Sequence, residues 1–200
     1  MRFLLASASP VRLATLRSAG IEPEVQVSGV DEDAISAAGP LELVQALATA
    51  KAAAVAALQE GELLLLGCDS MLEFEGAVLG KPSDPAEAVR RWRQLRGGTG
   101  TLHTGHTLLE LRAGAVHRQL ERVGSTEVRF ANPSDAEIEA YVGTGEPLRV
   151  AGAFTIDGLG GWFVESITGD HHNVIGLSLP MLRLMLIEFG YSIGDLPAIS

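Results

Sequence analysis

An α/β fold is the expectation for this 200-residue chain, built as one domain or as one domain with two lobes. Two observations carry it. The first is the run Leu63-Leu64-Leu65-Leu66-Gly67-Cys68-Asp69-Ser70. Leucines in succession without polar alternation read as a strand buried on both faces, as in sheets covered by helices. Gly67 lets the backbone turn or admit a close neighbour. Asp69 is then expected to emerge at the carboxyl end of the strand, where open α/β sheets hold their ligands. The second observation is the opening of the chain, where a short apolar strand from Arg2 to Ala6 runs directly into the start of a capped helix. Further on, Gly80-Lys81-Pro82 places a lysine on a tight turn that can return to the end where Asp69 emerges. A carboxylate with a lysine suits metal-assisted phosphate chemistry, so Asp69 and Lys81 mark the candidate centre.

The bulk numbers bound the rest. With 46% hydrophobic residues the chain can bury a real core. Its apolar runs are too short to span a bilayer, and the stub Phe3–Ala6, closely followed by Arg12, makes no signal peptide. One cysteine, Cys68, excludes an internal disulfide and a multi-thiolate zinc site, which points to a cytoplasmic protein. A net charge of −10 argues against nonspecific duplex binding, which needs a broad basic surface. It leaves room for a small anionic ligand, because a few local cations and a metal reverse the field in one cleft. The sparse aromatics supply no stacking series for single-stranded nucleic acid.

Taken in order, Arg2–Ala6 is a strand and a helix runs from Pro10 to Gly20, capped by Ser9 and ended by Gly20. This helix turns Leu13 and Leu16 inward and carries Arg12 and Arg17. A serine-rich helix start after a strand is either a plain cap or an anion site. Glu24–Ser28 alternates like a strand and leads into the acidic loop Asp31-Glu32-Asp33. Pro40–Leu58 is an alanine-rich helix whose only cation, Lys51, reads by itself as a side chain snorkelling to water.

Met71–Leu79 is a hairpin around Glu75-Gly76. Ser83-Asp84-Pro85 caps a helix through Arg96, with Arg90, Arg91, Arg93 and Arg96 as a solvated face. Thr101–Leu111 and Ala115–Phe130 form a long hairpin joined at Ala113-Gly114. Ser134 caps a helix containing Ile138, Tyr141 and Val142. A glycine-rich stretch from Gly152 to Gly161 precedes a strand around Trp162–Ile167, and Leu179–Phe189 is an apolar helix covering the sheet.

Several motifs fail on inspection. Gly76–Pro82 is too short for a P-loop and has proline where Ser or Thr should meet magnesium. No G-x-G-x-x-G follows a strand. His103 and His106 are an odd number of residues apart on a strand and so point to opposite faces. The adjacent His171 and His172 do not chelate one metal easily. Cys68, on a buried strand, reads as inert filler rather than a nucleophile.

The ordered set of stretches resembles the Maf family of nucleotide pyrophosphatases, once described as septum-formation inhibitors. The resemblance runs through Leu5-Ala6-Ser7-Ala8-Ser9-Pro10-Val11-Arg12, Asp31-Glu32, Lys51, Gly67-Cys68-Asp69-Ser70 and Gly80-Lys81-Pro82. It continues through Gly145-Glu146-Pro147, Ala151-Gly152-Ala153-Phe154 and Asn173-Val174-Ile175-Gly176-Leu177. It covers nearly the whole chain as a single domain, residues 1–200. It implies a two-lobed α/β fold with a long mixed β-sheet flanked by helices and a nucleotide cleft between the lobes.

The activity implied is metal-dependent hydrolysis of nucleoside triphosphates, non-standard or modified ones included, to monophosphate and pyrophosphate. That is a house-cleaning role, with a link to cell-division arrest. The resemblance also suggests a homodimer, for which Trp92, Tyr141, Phe189 and Tyr191 are candidate anchors. The runner-up readings are an inosine-triphosphate-type pyrophosphatase and a nucleotide-binding regulator of septum formation without turnover.

Carried over residue by residue, the implied site is Ser7, Ser9, Arg12, Glu32, Lys51, Asp69 and Lys81. Asp69 is the proton acceptor, and Mg²⁺ or Mn²⁺ is held near Glu32 and Asp69. Arg12, Lys51 and Lys81 suit charge shifting onto pyrophosphate, and Ser7, Ser9 and the helix start suit phosphate oxygens. The chain departs from the family at Val11, Ser70 and Asp157, where the family reads the nucleobase. These departures imply a base preference other than the thymidine/uridine preference of its best-known branch. An ionised Asp157 accepts hydrogen bonds and suits an edge rich in N–H donors, such as guanine or cytosine.

Overall fold

The structure is a computed structural model that describes residues 1–199. Thirteen regular elements follow one another: β1 (Arg2–Ala6), α1 (Pro10–Ser18), β2 (Glu24–Val25), α2 (Pro40–Ala56), β3 (Leu63–Phe74), β4 (Ala77–Leu79), α3 (Pro85–Leu95), β5 (Thr99–Arg112), β6 (Ala115–Phe130), α4 (Asp135–Gly143), β7 (Val164–Thr168), α5 (His171–Ile175) and α6 (Leu179–Glu188). Short 3₁₀ turns fill several of the connections.

The strands form one mixed, open sheet in the order β2-β1-β3-β5-β6-β7, with β4 paired to β3. β1 lies parallel to both β2 and β3, whereas β3–β4 and β6–β7 are antiparallel. The expected α/β class is therefore the observed one. Contacts gather into two compact units. The first comprises Met1–Asp69, Thr104–Gly124 and the chain from Gly176 onward, and the second Ser70–His103 and Ser125–Ile175.

The first unit is built on the period-2 alternation of β1 and β3. Phe3, Leu5, Leu64, Leu66 and Cys68 face a core shared with Leu16 of α1 and with Leu182, Met185 and Leu186 of α6. Leu4, Ala6, Leu63 and Leu65 face the opposite core, closed by Ala52, Val55 and Ala56 of α2. All four successive leucines are fully buried. Each contributes roughly 2 kcal/mol of apolar burial, which explains why this run tolerates no polar alternation.

In the second unit Trp92 is the hub. Its ring meets Phe130, Tyr141 and Phe163 edge-on at centroid separations of 5.8, 5.5 and 5.4 Å, and its indole N–H donates to the Ala153 carbonyl at 2.9 Å.

Several expectations shift. β3 does not end near Asp69. It continues to Phe74 because Leu72–Phe74 pair with Ala77–Leu79 across the Glu75-Gly76 turn, so Asp69 lies inside a strand. The strand expected over Glu24–Ser28 shrinks to Glu24–Val25, the only stretch in register with β1. Trp162 lies in a 3₁₀ turn before β7 rather than in the strand, and it is 84% exposed. The α3 arginines are not simply solvated: Arg91 donates to the Gly80 carbonyl at 2.5 Å, and Arg93 and Arg96 pair with Asp135. Trp92, Tyr141 and Phe189 are core residues and offer no dimer anchor, while Tyr191 is only partly buried.

Candidate active site

The site in the first unit follows from the parity of β3. Leu63, Leu65, Gly67 and Asp69 share the face turned toward α2, so the carboxylate of Asp69 points at that helix. Helix α2 comes close because Gly67 has no side chain. A Cβ there would collide with the Ala48 carbonyl and sit 2.9 Å from the Ala52 Cβ. Gly105 of β5 does the same one helical turn earlier, where a Cβ would collide with the Val44 carbonyl. Val44, Ala48 and Ala52, spaced four apart, thus form a ridge seated over two glycines.

Seated this deeply, α2 delivers Lys51 to Asp69. The ammonium bonds Asp69 Oδ1 and also Glu32 Oε1, the latter at 2.7 Å. Lys51 is only 8% and Asp69 6% exposed. The snorkelling expectation for Lys51 is therefore wrong. The long aliphatic stem is buried, and the charge ends between two carboxylates rather than in water. Glu32, on the 3₁₀ turn Glu32–Ala34, is the more exposed partner.

The second cluster sits where β1 gives way to α1. β1 ends at Ala6, in register with Gly67 of β3, so Ser7 leaves the sheet at the level of the Gly67-Cys68-Asp69 segment. Ser9 caps α1 by accepting from the Arg12 N–H at 3.4 Å, and Pro10 takes the first helical position. The Ser7 hydroxyl oxygen accepts from the Ser9 N–H at 3.1 Å and from Arg12 Nη1 at 3.3 Å. Arg12 Nε donates to the Gly176 carbonyl at 2.7 Å. Ser7 and Arg12 are buried.

The two clusters share an electrostatic neighbourhood around Cys68. Its thiol is pushed up to about 12, first by burial, and it also feels the charges of Arg12, Asp69 and Lys51. A thiol in that state is no nucleophile at neutral pH, as the sequence suggested.

The second unit holds the remaining candidates differently. Lys81 is exposed on the segment between β4 and α3, and Asp157 is exposed on a turn where it accepts a hydrogen bond from the Thr155 hydroxyl. Ser70 on β3 and, in the first unit, Val11 on α1 are half-buried.

Sequence reasoning named the residues that hold these loops without their structural part. The Gly80 carbonyl accepts from Arg91 and, at 3.0 Å, from the Gly152 N–H, which anchors the segment bearing Lys81. Gly152 adopts φ +67°, and a Cβ there would lie 2.7 Å from Leu72 Cδ2. Glu146 accepts from Tyr141 Oη at 2.8 Å and from the Leu159 and Gly160 N–H groups at 3.0 and 2.9 Å, which fixes the turn just after Asp157. Asn173 donates to the Leu102 carbonyl and to Thr126 Oγ1, both at 3.1 Å. The glycine, the glutamate and the asparagine were visible in the sequence as parts of motifs. Their partners were not.

The Maf-like protein family matches residues 2–189. The chain belongs to that family. A nucleoside triphosphate pyrophosphatase of Streptomyces coelicolor is 54% identical over 196 residues, covering 98% of this chain and 94% of its own. One from Salinispora tropica is 54% identical over 200 residues, covering 98% and 87%. One from Mycolicibacterium gilvum is 52% identical over 203 residues, covering 97% of each chain.

The Maf resemblance implies a divalent cation, and the donor set of the chain bears on it. Among the described residues no group of three or more His, Cys, Asp or Glu side chains assembles around one point. Two carboxylates, Glu32 and Asp69, do converge on one positive centre, the Lys51 ammonium. Hard carboxylate oxygens in that number match Mg²⁺ or Mn²⁺, which take one or two carboxylates and complete their shell with water and substrate phosphate. The residues fit.

Proposed function

We propose that this chain hydrolyses nucleoside triphosphates to nucleoside monophosphate and pyrophosphate in the manner of its Maf relatives. The observation that carries the reading is the buried carboxylate of Asp69, held by Lys51 in the same unit as the buried guanidinium of Arg12. A structural ion pair alone gives no reason for a buried Arg12, tied to Ser7 at the start of α1, to lie in the same unit, where a helix start suits an anion.

The step is a displacement. A water oxygen bonds to the α-phosphorus, the bond from that phosphorus to the α–β bridging oxygen breaks, and pyrophosphate leaves. Asp69 orients the water and accepts its proton. Lys51 holds the Asp69 carboxylate in place, and its charge with that of Arg12 offsets the negative charge that builds on the leaving group. Lys81, exposed on the segment between β4 and α3, is the further cation proposed for the phosphates. Glu32 and Asp69 would hold Mg²⁺ or Mn²⁺, which when bound supplies charge neutralisation and a more acidic coordinated water.

Base preference belongs to the same reading. The Asp157 carboxylate already accepts from Thr155, and an acceptor there favours guanine or cytosine over thymine or uracil. A cytoplasmic location and a homodimer complete the reading. No helix of the described residues is long and apolar enough to cross a membrane.

The test is pyrophosphate release under Mn²⁺ from a panel of ordinary and modified nucleoside triphosphates, including GTP, CTP, UTP, dTTP and ITP. Turnover of at least one of them is expected, with GTP or CTP ahead of UTP and dTTP in kcat/KM. Binding without release across the panel would favour the regulator reading, and a preference confined to ITP would favour the inosine-triphosphate type.

A further inference from the structure

His106 has no part in the displacement just described, yet it is fully buried in the first unit. Its parity on β5 matches Leu108, which faces the core shared with α6. There the Ser178 N–H donates to His106 Nε2 at 2.9 Å. A backbone amide only donates, so Nε2 carries no proton. The proton is on Nδ1, which lies 3.1 Å from the Thr104 carbonyl and donates to it. Both ring nitrogens are therefore committed in one tautomer.

Ser178 is also the N-cap of α6, its hydroxyl oxygen accepting from the Met181 N–H at 3.1 Å. Its own N–H is thus the point at which the preceding turn is tied to the sheet. Two residues earlier, Gly176 offers its carbonyl to Arg12 Nε at 2.7 Å and adopts φ +113°. That backbone conformation is open to glycine and to few other residues, so the turn is shaped to present this carbonyl.

We infer that His106 is a positioning residue for Arg12: through Ser178 it fixes the turn whose Gly176 carbonyl aims the Arg12 guanidinium. The proposal rests on the reading of Arg12 as a phosphate-binding group. A guanidinium is a rigid fork of donors, and its recognition of phosphate depends on orientation. The Gly176 carbonyl takes the Nε–H, and Nη1 donates to Ser7 Oγ just before the start of α1. If the turn is released, the charge stays while its aim is lost.

Three variants test this: His106→Leu removes the acceptor, His106→Gln retains one at similar reach, and His106→Asn is polar but too short to reach Ser178. The readouts are kcat and KM for the best triphosphate of the panel, and the Kd for inorganic tripolyphosphate by calorimetry. His106→Leu and His106→Asn are expected to raise KM and the tripolyphosphate Kd about fivefold to tenfold, the effect of one lost hydrogen bond of ordinary strength. They should change kcat less than about twofold, and His106→Gln should recover most of the loss. In an Arg12→Ala background, His106→Asn should add nothing further, which a merely structural role would not produce.

Wild-type KM and Kd in His106→Asn would overturn the proposal, as would an undiminished penalty in the Arg12→Ala background. If the leucine variant does not fold, the Gln/Asn pair decides alone: equal constants for the two refute the mechanism. Failure of the enzymatic reading is distinguishable, because wild-type protein would then release no pyrophosphate while the tripolyphosphate series still reports on Arg12.

Discussion

The two units of the molecule hold their candidate residues in opposite ways. In the first, Ser7, Arg12, Lys51 and Asp69 are all 9% exposed or less and bonded to neighbours. In the second, Lys81 and Asp157 stand exposed on loops, and what is buried is the apparatus beneath them: Gly152 and the Trp92-centred aromatic core, with half-buried Arg91 and Glu146 holding the loop backbones. The difference teaches a division of labour. Chemistry that needs a fixed carboxylate and fixed cations is built from strands and helix faces, where packing sets geometry. On the proposed reading, the groups that select among ligands sit on loops whose backbone is anchored from beneath.

Ways to break that comparison rank by size. Asp69→Asn keeps the shape of the buried side chain and removes the proton acceptor, so kcat should fall by at least about 10²-fold while triphosphate binding survives. Wild-type turnover in a folded variant would refute the role of Asp69.

Lys51→Met should cost about 3 kcal/mol in chemical denaturation, because it leaves the Asp69 charge buried without its partner. The double variant Lys51→Met/Asp69→Leu should recover most of that stability and none of the activity. If the double variant is as unstable as the single one, the pair matters through packing rather than charge.

Glu110 sharpens the comparison by showing a buried carboxylate of the first unit outside the site. Hydrogen bonds from Arg118, then Tyr191 and Arg112, hold it down to about 2, against the desolvation that raises it, and the Arg118 guanidinium stacks 4.5 Å from the Phe189 ring centroid. Because the folded-state value is depressed, this stabilisation is present above the ordinary glutamate value of about 4.3 and is lost as pH falls toward 2. Glu110→Gln should therefore cost about 2 kcal/mol at pH 7, after allowance for the exposure of its arginine partners, and flatten the acid limb of the stability curve. An unchanged acid limb would show that Glu110 is not the group being titrated.

Effects in the second unit should be smaller. Lys81→Ala is expected to raise KM about tenfold with little loss of stability, and its contribution should fade with added salt because the charge is exposed. Asp157→Asn should leave kcat/KM for the best substrate within about fivefold, yet move UTP and dTTP up the ranking, since an amide can donate as well as accept. If Lys81→Ala unfolds the protein, or Asp157→Asn leaves the ranking untouched, the proposed contrast between fixed chemistry and adaptable recognition fails at that residue.

What was legible in the sequence was whatever depends on neighbours within a turn or a strand. The caps at Ser9, Asp84 and Ser134 bond residues three positions away. The apolar run Leu63–Leu66 announces its two-sided burial through absence of alternation, and Gly114 between two β-rich stretches marks the hairpin that the structure closes with positive φ at Ala113 and Gly114. The family motifs named the candidate residues because each survives as a short string.

The tertiary structure alone decided the partners. Lys51 meets Asp69 across 18 residues of chain, Arg12 meets Gly176 across 164, and His106 meets Ser178 across 72. As the only cation on an alanine-rich helix, Lys51 reads in the sequence as a side chain snorkelling to water. Its charge is buried because Gly67 and Gly105 let a helix settle onto a sheet face where Asp69 already points. That outcome depends on the parity of two strands and the depth of one helix, and both are set by packing among residues far apart in the chain.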